Sequence, residues 1–281
     1  MVFRISIALV AALVLLAGLA PGPFNDVVQA ALGEVIRGAG WMYLLVVFMT
    51  LVFLAYLAFG RFANLRIGGE DAEPEFSRAS WLSMLFAAGM GIGLVFWGAA
   101  EPVSHLVKPP EGLTPESMEA ARASMRYAFF HWGLHPWSIY ALIGLSMAWF
   151  QYNRNGRGLI SDMLQPVIGR HHRSWVGHTI NIAAVVATAI GVATTLGFGT
   201  IQIAAGLQRV FGINATVGVQ MTIIAIAFVL YMASTTSGVD RGIKWLSNAN
   251  LILAGVLLVL VLALGPTGFI ADTFTTTLGS Y

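Results

Sequence analysis

The chain contains no cysteine, and only 10% of its 281 residues are charged. The absence of cysteine excludes disulfides, thiolate catalysis and cysteine-ligated metal sites. The scarcity of charge excludes an ordinary soluble domain, because such a domain needs far more charged side chains to cover its surface. Hydrophobic residues make up 57% of the chain. The composition therefore predicts an integral membrane protein.

The apolar residues fall in long runs, not in the short alternating segments that are typical of an outer-membrane barrel. Helices are the expected spanning element, because their backbone hydrogen bonds close within each segment. Arg4 before the first run also fits a signal peptide, but the length of the run and the spans that follow favour a membrane helix. We predict seven spans, at about residues 3–20, 41–60, 81–101, 128–150, 178–207, 216–234 and 246–265.

The basic residues are distributed unevenly between the loops. Ten of the 15 Lys and Arg residues lie in segments that are cytoplasmic if the N-terminus is cytoplasmic. The positive-inside rule therefore predicts a multi-pass protein of the cell (inner) membrane with its N-terminus inside and its C-terminus outside. The outer segment 109–130 mixes charged and small apolar residues at helical spacing, which predicts an amphipathic helix along the outer surface.

The third predicted span carries three glycines within five positions: Gly89, Gly91 and Gly93. Gly89 and Gly93 match a G-x-x-x-G packing motif, which lets a neighbouring helix approach closely. Gly91 is not needed for that motif, so the spacing also fits a helix that unwinds near the membrane midplane. Exposed N–H groups there would suit a carboxylate, and exposed carbonyls would suit a cation such as sodium.

The fourth predicted span opens with the aromatic stretch HWGLHPWSIY, residues 131–140. Trp132, Trp137 and Tyr140 point into one broad arc of a helix. They fit either an aromatic belt at the outer interface or a cage of ring faces for a quaternary ammonium group. Gly133 and Pro136 would bend the helix beside them.

Two histidines in this stretch, His131 and His135, have a zinc-compatible spacing. No acidic or cysteine partner lies beside them in the sequence, so interfacial packing or hydrogen bonding is the favoured interpretation. Glu101 ends the third span, and we interpret it as an interfacial carboxylate that begins a loop with Pro102. No nucleophile–base pair or phosphate-binding loop is found, so the sequence does not predict an enzyme.

Taken together, four stretches resemble the betaine/carnitine/choline transporter family. They are AAGMGIGLVFWGAAEP (87–102), HWGLHPWSIYALIGL (131–145), GVATTLGFGTIQIAAGL (191–207) and SGVDRGIKWLSNANL (237–251). The resemblance implies an all-α integral membrane protein with an inverted-repeat fold like that of the leucine transporter. Residues 1–60 would be two extra N-terminal helices, 61–80 a cytoplasmic loop, 81–265 the first five-helix repeat and 266–281 an outer-side tail.

The resemblance also assigns roles to residues. Trp132, Trp137 and Tyr140 would form part of an aromatic box, beside substrate-contacting backbone at Gly89, Met90, Gly91 and Gly93. Ala87 and Met90 would supply half of a sodium site, and Thr188 one ligand of a second. Val192 stands where some members have the partner threonine of that second site, which puts it in doubt. Several choline-type members carry aspartate at the position of Gly93, so glycine there favours a zwitterion such as glycine betaine.

The resemblance thus implies uptake of a quaternary ammonium compatible solute, an osmoprotective activity, by sodium symport with alternating access. No cofactor or nucleic acid is expected, and a homotrimer is implied by the family. The family's second repeat is absent, so we expect the chain to be incomplete and not to transport alone. Proton-coupled or exchange transport of choline or carnitine, or a non-transporting sensor or partner subunit, are the alternatives.

Overall fold

The computed structural model describes residues 1–87 and 89–281. The described residues form α-helices joined by turns and by longer connections such as residues 60–77, and they contain no β-strand. The helices fall into two compact units, residues 1–73 with 134–193 and residues 74–133 with 194–281. The helix bounds are α1 Val2–Leu19, α2 Pro21–Phe59, α3 Arg78–Ala87, α4 Ile92–Val107, α5 Met118–Trp132, α6 Leu134–Ala148, α7 Ile160–Met163, α8 Gln165–Ile168, α9 Trp175–Phe211, α10 Val217–Ser237, α11 Lys244–Leu264 and α12 Thr267–Ser280.

Among the described residues, five helical stretches are long and apolar enough to cross a membrane: 2–19, 21–59, 175–211, 217–237 and 241–264. These agree with five of the seven predicted spans, although α2 begins well before residue 41. The other two predicted spans are each built from two helices, α3 with α4 and α5 with α6. The protein is therefore an all-helical, multi-pass membrane protein.

The described residues show the burial pattern of a membrane protein, with small apolar side chains buried and large ones exposed. The described apolar residues that are buried are all alanines: Ala120, Ala123, Ala128 and Ala204. Large apolar side chains such as Leu253 and Val259 are instead exposed. Small residues allow helices to pack closely within a membrane, where exposed apolar side chains face lipid tails and carry no penalty.

The first unit packs α2 against α1 and α6. Pro21 occupies the first turn of α2, where its missing N–H costs nothing, and Gly60 ends the helix. In the segment that follows α6, the Asn153 side chain accepts a hydrogen bond from the Gly68 N–H at 2.9 Å, which ties that segment to the loop after α2.

The second unit packs α4 against α5, α3 against α11, and α5 against α12. Ser117 caps α5 by accepting a hydrogen bond from the Ala120 N–H. The predicted amphipathic helix over 109–130 is thus shorter than expected, since α5 begins only at Met118. Most of the predicted outer-side tail, residues 266–281, forms the helix α12.

Candidate functional site

The glycine cluster coincides with a break between two helices. α3 ends at Ala87, Ala88 lies outside the described residues, and α4 begins after Gly91. The N–H groups of Gly89 and Met90 both donate to the Phe86 carbonyl, at 2.9 and 2.8 Å, and close the last turn of α3. The discontinuous helix that the glycine spacing predicts is therefore present. Such a break leaves carbonyls at the end of α3 and N–H groups at the start of α4 without helical partners.

Gly93 brings α4 close to α5, as the G-x-x-x-G interpretation expects. A Cβ atom at Gly93 would lie 3.2 Å from Cη2 and Cζ3 of Trp132. The six-membered ring of Trp132 thus fills the space that a side chain at position 93 would need. Both interpretations of the cluster contribute: Gly89 and Gly91 lie at the break, and Gly93 allows a close approach.

Glu101 is the polar centre of the α4–α5 contact. Its Oε2 accepts a hydrogen bond from the Trp132 indole N–H at 2.6 Å. Its Oε1 faces His105 Nε2 at 3.2 Å and also contacts His131 Nδ1. Because an ionised carboxylate only accepts hydrogen bonds, both imidazoles donate to it. Only 12% of the Glu101 side chain is exposed, so this carboxylate does not begin a solvated loop but fixes the Trp132 ring.

The sequence did not predict this cluster. His131 was paired with His135 by spacing, whereas its contacts are Glu101 from α4 and the ring of His105, 5.9 Å away. Part of the cluster could have been predicted from the sequence, because Glu101 and His105 are four residues apart and therefore share one helix face. That the third member comes from α5 depends on tertiary packing.

Trp137 and Tyr140 lie on α6, in the first unit, whereas Trp132 belongs to the second. The rings of Trp137 and Tyr140 meet edge to face, with centroids 5.5 Å apart and planes at 84°. This pair is held in a favourable aromatic geometry. The helix is interrupted at Gly133, between α5 and α6, at the place where glycine and proline were expected to bend it.

The residues of the predicted sodium sites have different surroundings. Ala87 is the last residue of α3, so its carbonyl is among those without a helical partner. Met90 follows within the turn. Thr188 lies on α9, where its hydroxyl donates to the Ala184 carbonyl at 2.8 Å, as threonines in membrane helices commonly do.

Comparison with known proteins identifies the family. The model of the betaine/carnitine/choline family transporters (BCCT) matches residues 1–281. A glycine betaine transporter of Bacillus subtilis is 45% identical over 281 residues, which cover 100% of this chain and 55% of that protein. An ectoine/hydroxyectoine transporter of Virgibacillus pantothenticus is 43% identical, with 100% of this chain and 56% of that protein covered. The high-affinity choline transport protein of Escherichia coli K12 is 39% identical over 96% of this chain and 40% of its own length.

The chain spans about half the length of the curated relatives it matches. The range matched by the family model runs from the first residue to the last, and it includes the broken α3–α4 segment and the aromatic stretch. The homologues are transporters, which is a non-enzymatic function. The chain belongs to the betaine/carnitine/choline transporter family.

Proposed function

We propose that the protein takes up a quaternary ammonium compatible solute, of the glycine betaine type, by sodium symport with alternating access. Family membership supports transport of a compatible solute, and the relatives named above transport betaine, ectoine or hydroxyectoine, and choline. The observation that carries the proposal is the helix break at Gly89–Gly91, followed two residues later by Gly93, which lies against the Trp132 ring.

The break suits the anionic end of the substrate. α4 begins after Gly91, and the free N–H groups at the start of a helix carry a partial positive charge that favours a carboxylate. Gly91 leaves the backbone open to close approach, because a Cβ atom there would meet nothing within 4 Å. A zwitterion with its own carboxylate therefore fits this segment better than choline, which has none.

The aromatic residues suit the cationic end. A trimethylammonium group has no N–H to donate, so it is held by the negative faces of aromatic rings. Trp132, Trp137 and Tyr140 provide these faces in the proposal, as the family resemblance implies. The hydrogen bond from Trp132 to Glu101 and the edge-to-face contact of Trp137 with Tyr140 limit the motion of the rings. Rings that are already ordered cost less entropy when a ligand binds.

Sodium is the proposed coupling ion, with carbonyl oxygens at Ala87 and Met90 as part of its site. Hard cations prefer oxygen ligands, and carbonyls at broken helix ends are a recurrent sodium site in transporters. Each sodium ion that enters down a potential of 100 mV contributes about 2.3 kcal/mol. The second site at Thr188 is the weaker part of the proposal, because that hydroxyl bonds to Ala184 and the next turn carries Val192.

Labelled glycine betaine uptake tests this proposal. The complete gene product is expressed in cells that lack their own betaine uptake, and uptake is measured with and without an inward sodium gradient. We expect saturable uptake that depends on the gradient. Uptake that is indifferent to sodium would contradict the coupling and would favour proton-coupled or exchange transport.

Ectoine is the second candidate substrate, because the ectoine/hydroxyectoine transporter is nearly as similar to this chain as the betaine transporter. Competition by unlabelled ectoine, choline and carnitine in the same assay separates these substrates. We expect glycine betaine to compete best. Stronger competition by ectoine would reassign the substrate while leaving the transport mechanism intact.

A further inference from the structure

Three potential metal ligands meet where α4 packs against α5. Glu101 and His105 lie one turn apart on α4, and His131 comes from the last turn of α5. One ligand atom from each of the three side chains lies within 4.8 Å of the other two. The two histidines approach the same carboxylate oxygen, Oε1 of Glu101. Three donor atoms gathered this closely can share one bound cation.

The chemistry of the donors selects the class of ion. Two imidazole nitrogens and one carboxylate oxygen form the set that binds zinc with an open fourth position. Calcium and magnesium prefer sites made of oxygen alone, and sodium gains little from imidazole. A divalent transition-metal ion such as Zn²⁺ is therefore the ligand that this set fits.

The surroundings hold the three side chains in place. The Trp132 N–H donates to Oε2 of Glu101 at 2.6 Å and leaves Oε1 directed at the histidines. Outer hydrogen bonds of this kind orient metal ligands and raise their affinity. The ring of Tyr127 packs beside both imidazoles, with centroids 5.6 Å from His105 and 6.0 Å from His131.

Burial and access are also suitable. The exposed fraction of the side chain rises from 12% for Glu101 to 25% for His105 and 44% for His131. The carboxylate thus lies at the inner end of the cluster, and the histidines leave an entry path. A hydrogen-bonded cluster without a metal shares the contacts of Glu101, so the two alternatives must be separated by experiment.

We propose that Glu101, His105 and His131 form a binding site for a divalent transition-metal ion of the zinc class. On binding, each imidazole coordinates through the nitrogen that now faces Glu101, and its proton moves to the other ring nitrogen or to solvent. Because Glu101 also holds the Trp132 indole, the metal site shares one carboxylate with a ring of the proposed aromatic cage. Metal binding and transport are measured separately, so failure of one proposal can be distinguished from failure of the other.

Cobalt(II) is the probe, since its visible absorption reports tetrahedral coordination by nitrogen and oxygen. The protein is purified in detergent, its affinity tag is removed, and it is stripped with a chelator before titration. We expect one equivalent of Co²⁺ to give a tetrahedral spectrum that Zn²⁺ displaces. The absence of such a spectrum from the wild-type protein would overturn the proposal.

Substitutions locate the site. His105→Gln and His131→Gln should each weaken Co²⁺ binding by about 100-fold or more, and Trp132→Phe by about 10- to 100-fold through loss of the outer hydrogen bond. His178→Gln, on α9, is the matched control and should bind as the wild type does. Equal binding by all four variants, or loss in the control alone, would place the metal elsewhere and overturn the assignment.

A replacement ligand guards against misfolding of the glutamine variants. His105→Cys supplies another zinc ligand at the same position, and it should restore binding with a thiolate-to-cobalt charge-transfer band. Residues 1–281 contain no cysteine, so a band that appears in this variant and not in the wild-type protein arises from position 105. Cobalt bound to this variant without the band would contradict the site.

Discussion

Two glycine-rich segments of this protein differ in backbone structure: one interrupts a helix, and the other lies within a continuous helix. The segment that holds Gly89 and Gly91 separates α3 from α4, whereas α9 continues for 37 residues, Trp175–Phe211. Yet α9 contains glycines throughout its length: Gly177, Gly191, Gly197, Gly199 and Gly206. Glycine weakens a helix by up to about 1 kcal/mol at each position, so the number of glycines does not by itself determine where a membrane helix breaks.

The space at the break does not differ from that on α9, since a Cβ atom at Gly91 would also meet nothing within 4 Å. What differs is the set of contacts that the helix after the break makes with its neighbour. α4 is fixed to α5 by the Glu101–Trp132 hydrogen bond and by the ring of Trp132 against Gly93. On α9, a Cβ atom at Gly197 or Gly206 would meet no described atom of its unit within 4 Å. We infer that tertiary contacts hold the broken conformation that the glycines permit.

The largest expected effect concerns the aromatic residues of the predicted cage. Trp132→Leu and Trp137→Leu should each raise the betaine concentration for half-maximal uptake by about 30-fold, since a desolvated cation–π contact contributes about 2 kcal/mol. Trp175→Leu, at the exposed start of α9, is the matched control and should leave it unchanged. An unaltered half-saturation after Trp137→Leu would contradict the cage.

The next effect compares one glycine from each segment. Gly93→Ala places a methyl group 3.2 Å from a Trp132 ring that Glu101 holds in place, and we expect a loss of about 1–2 kcal/mol in stability. Gly197→Ala meets no such obstacle and should gain up to about 1 kcal/mol through helix propensity. Thermal unfolding in detergent, followed by circular dichroism, measures both. Equal shifts for the two variants would remove the contrast between α4 and α9.

The ion pair of Arg157 with Asp162 lies outside both glycine-rich segments. It tests how much a polar contact contributes to stability away from the α4–α5 contact. In the predicted cytoplasmic loop, Arg157 donates to Asp162 from its backbone and its guanidinium, each at 2.9 Å. These hydrogen bonds hold the pKa of Asp162 below its ordinary value. Asp162→Asn should lower the stability at pH 7 by about 1 kcal/mol, a figure reduced because the arginine is half exposed.

The sign of the pH dependence follows from that direction. The pKa of the folded carboxyl lies below that of the unfolded one, so the pair stabilises above about pH 4 and is lost as the pH falls through the folded value. The difference between wild type and Asp162→Asn should therefore shrink in acid. A difference in unfolding temperature that stays constant between pH 7 and pH 3 would contradict this account.

The smallest effect is expected on α9. Thr188→Val removes a hydroxyl that donates to Ala184 in its own helix, so stability should change by no more than about 0.5 kcal/mol. The sodium concentration for half-maximal uptake should change by less than about twofold. A much larger rise would make Thr188 the sodium ligand that the family resemblance implies.

The sequence predicted the long apolar helices well, because hydropathy and length suffice to mark α1, α9, α10 and α11. It also predicted the break at Gly89–Gly91 and a bend near Gly133, where the structure has an interruption between α5 and α6, since both follow from local backbone preferences. It did not reveal that Glu101 joins His105, His131 and Trp132, because that contact depends on the packing of α4 against α5. The positions of the helices follow from neighbouring residues in the sequence, whereas polar contacts between helices depend on how the helices pack.

Binding of labelled glycine betaine to the purified complete gene product tests the central claim, that the helix break forms part of the substrate site. Gly89→Ala/Gly91→Ala restores helix propensity at the break, and Gly197→Ala/Gly206→Ala makes the matched change on α9. The account predicts that the first variant loses at least about tenfold in affinity, about 1.4 kcal/mol, while the second binds as the wild type does. Equal affinity in wild type and both variants would contradict it.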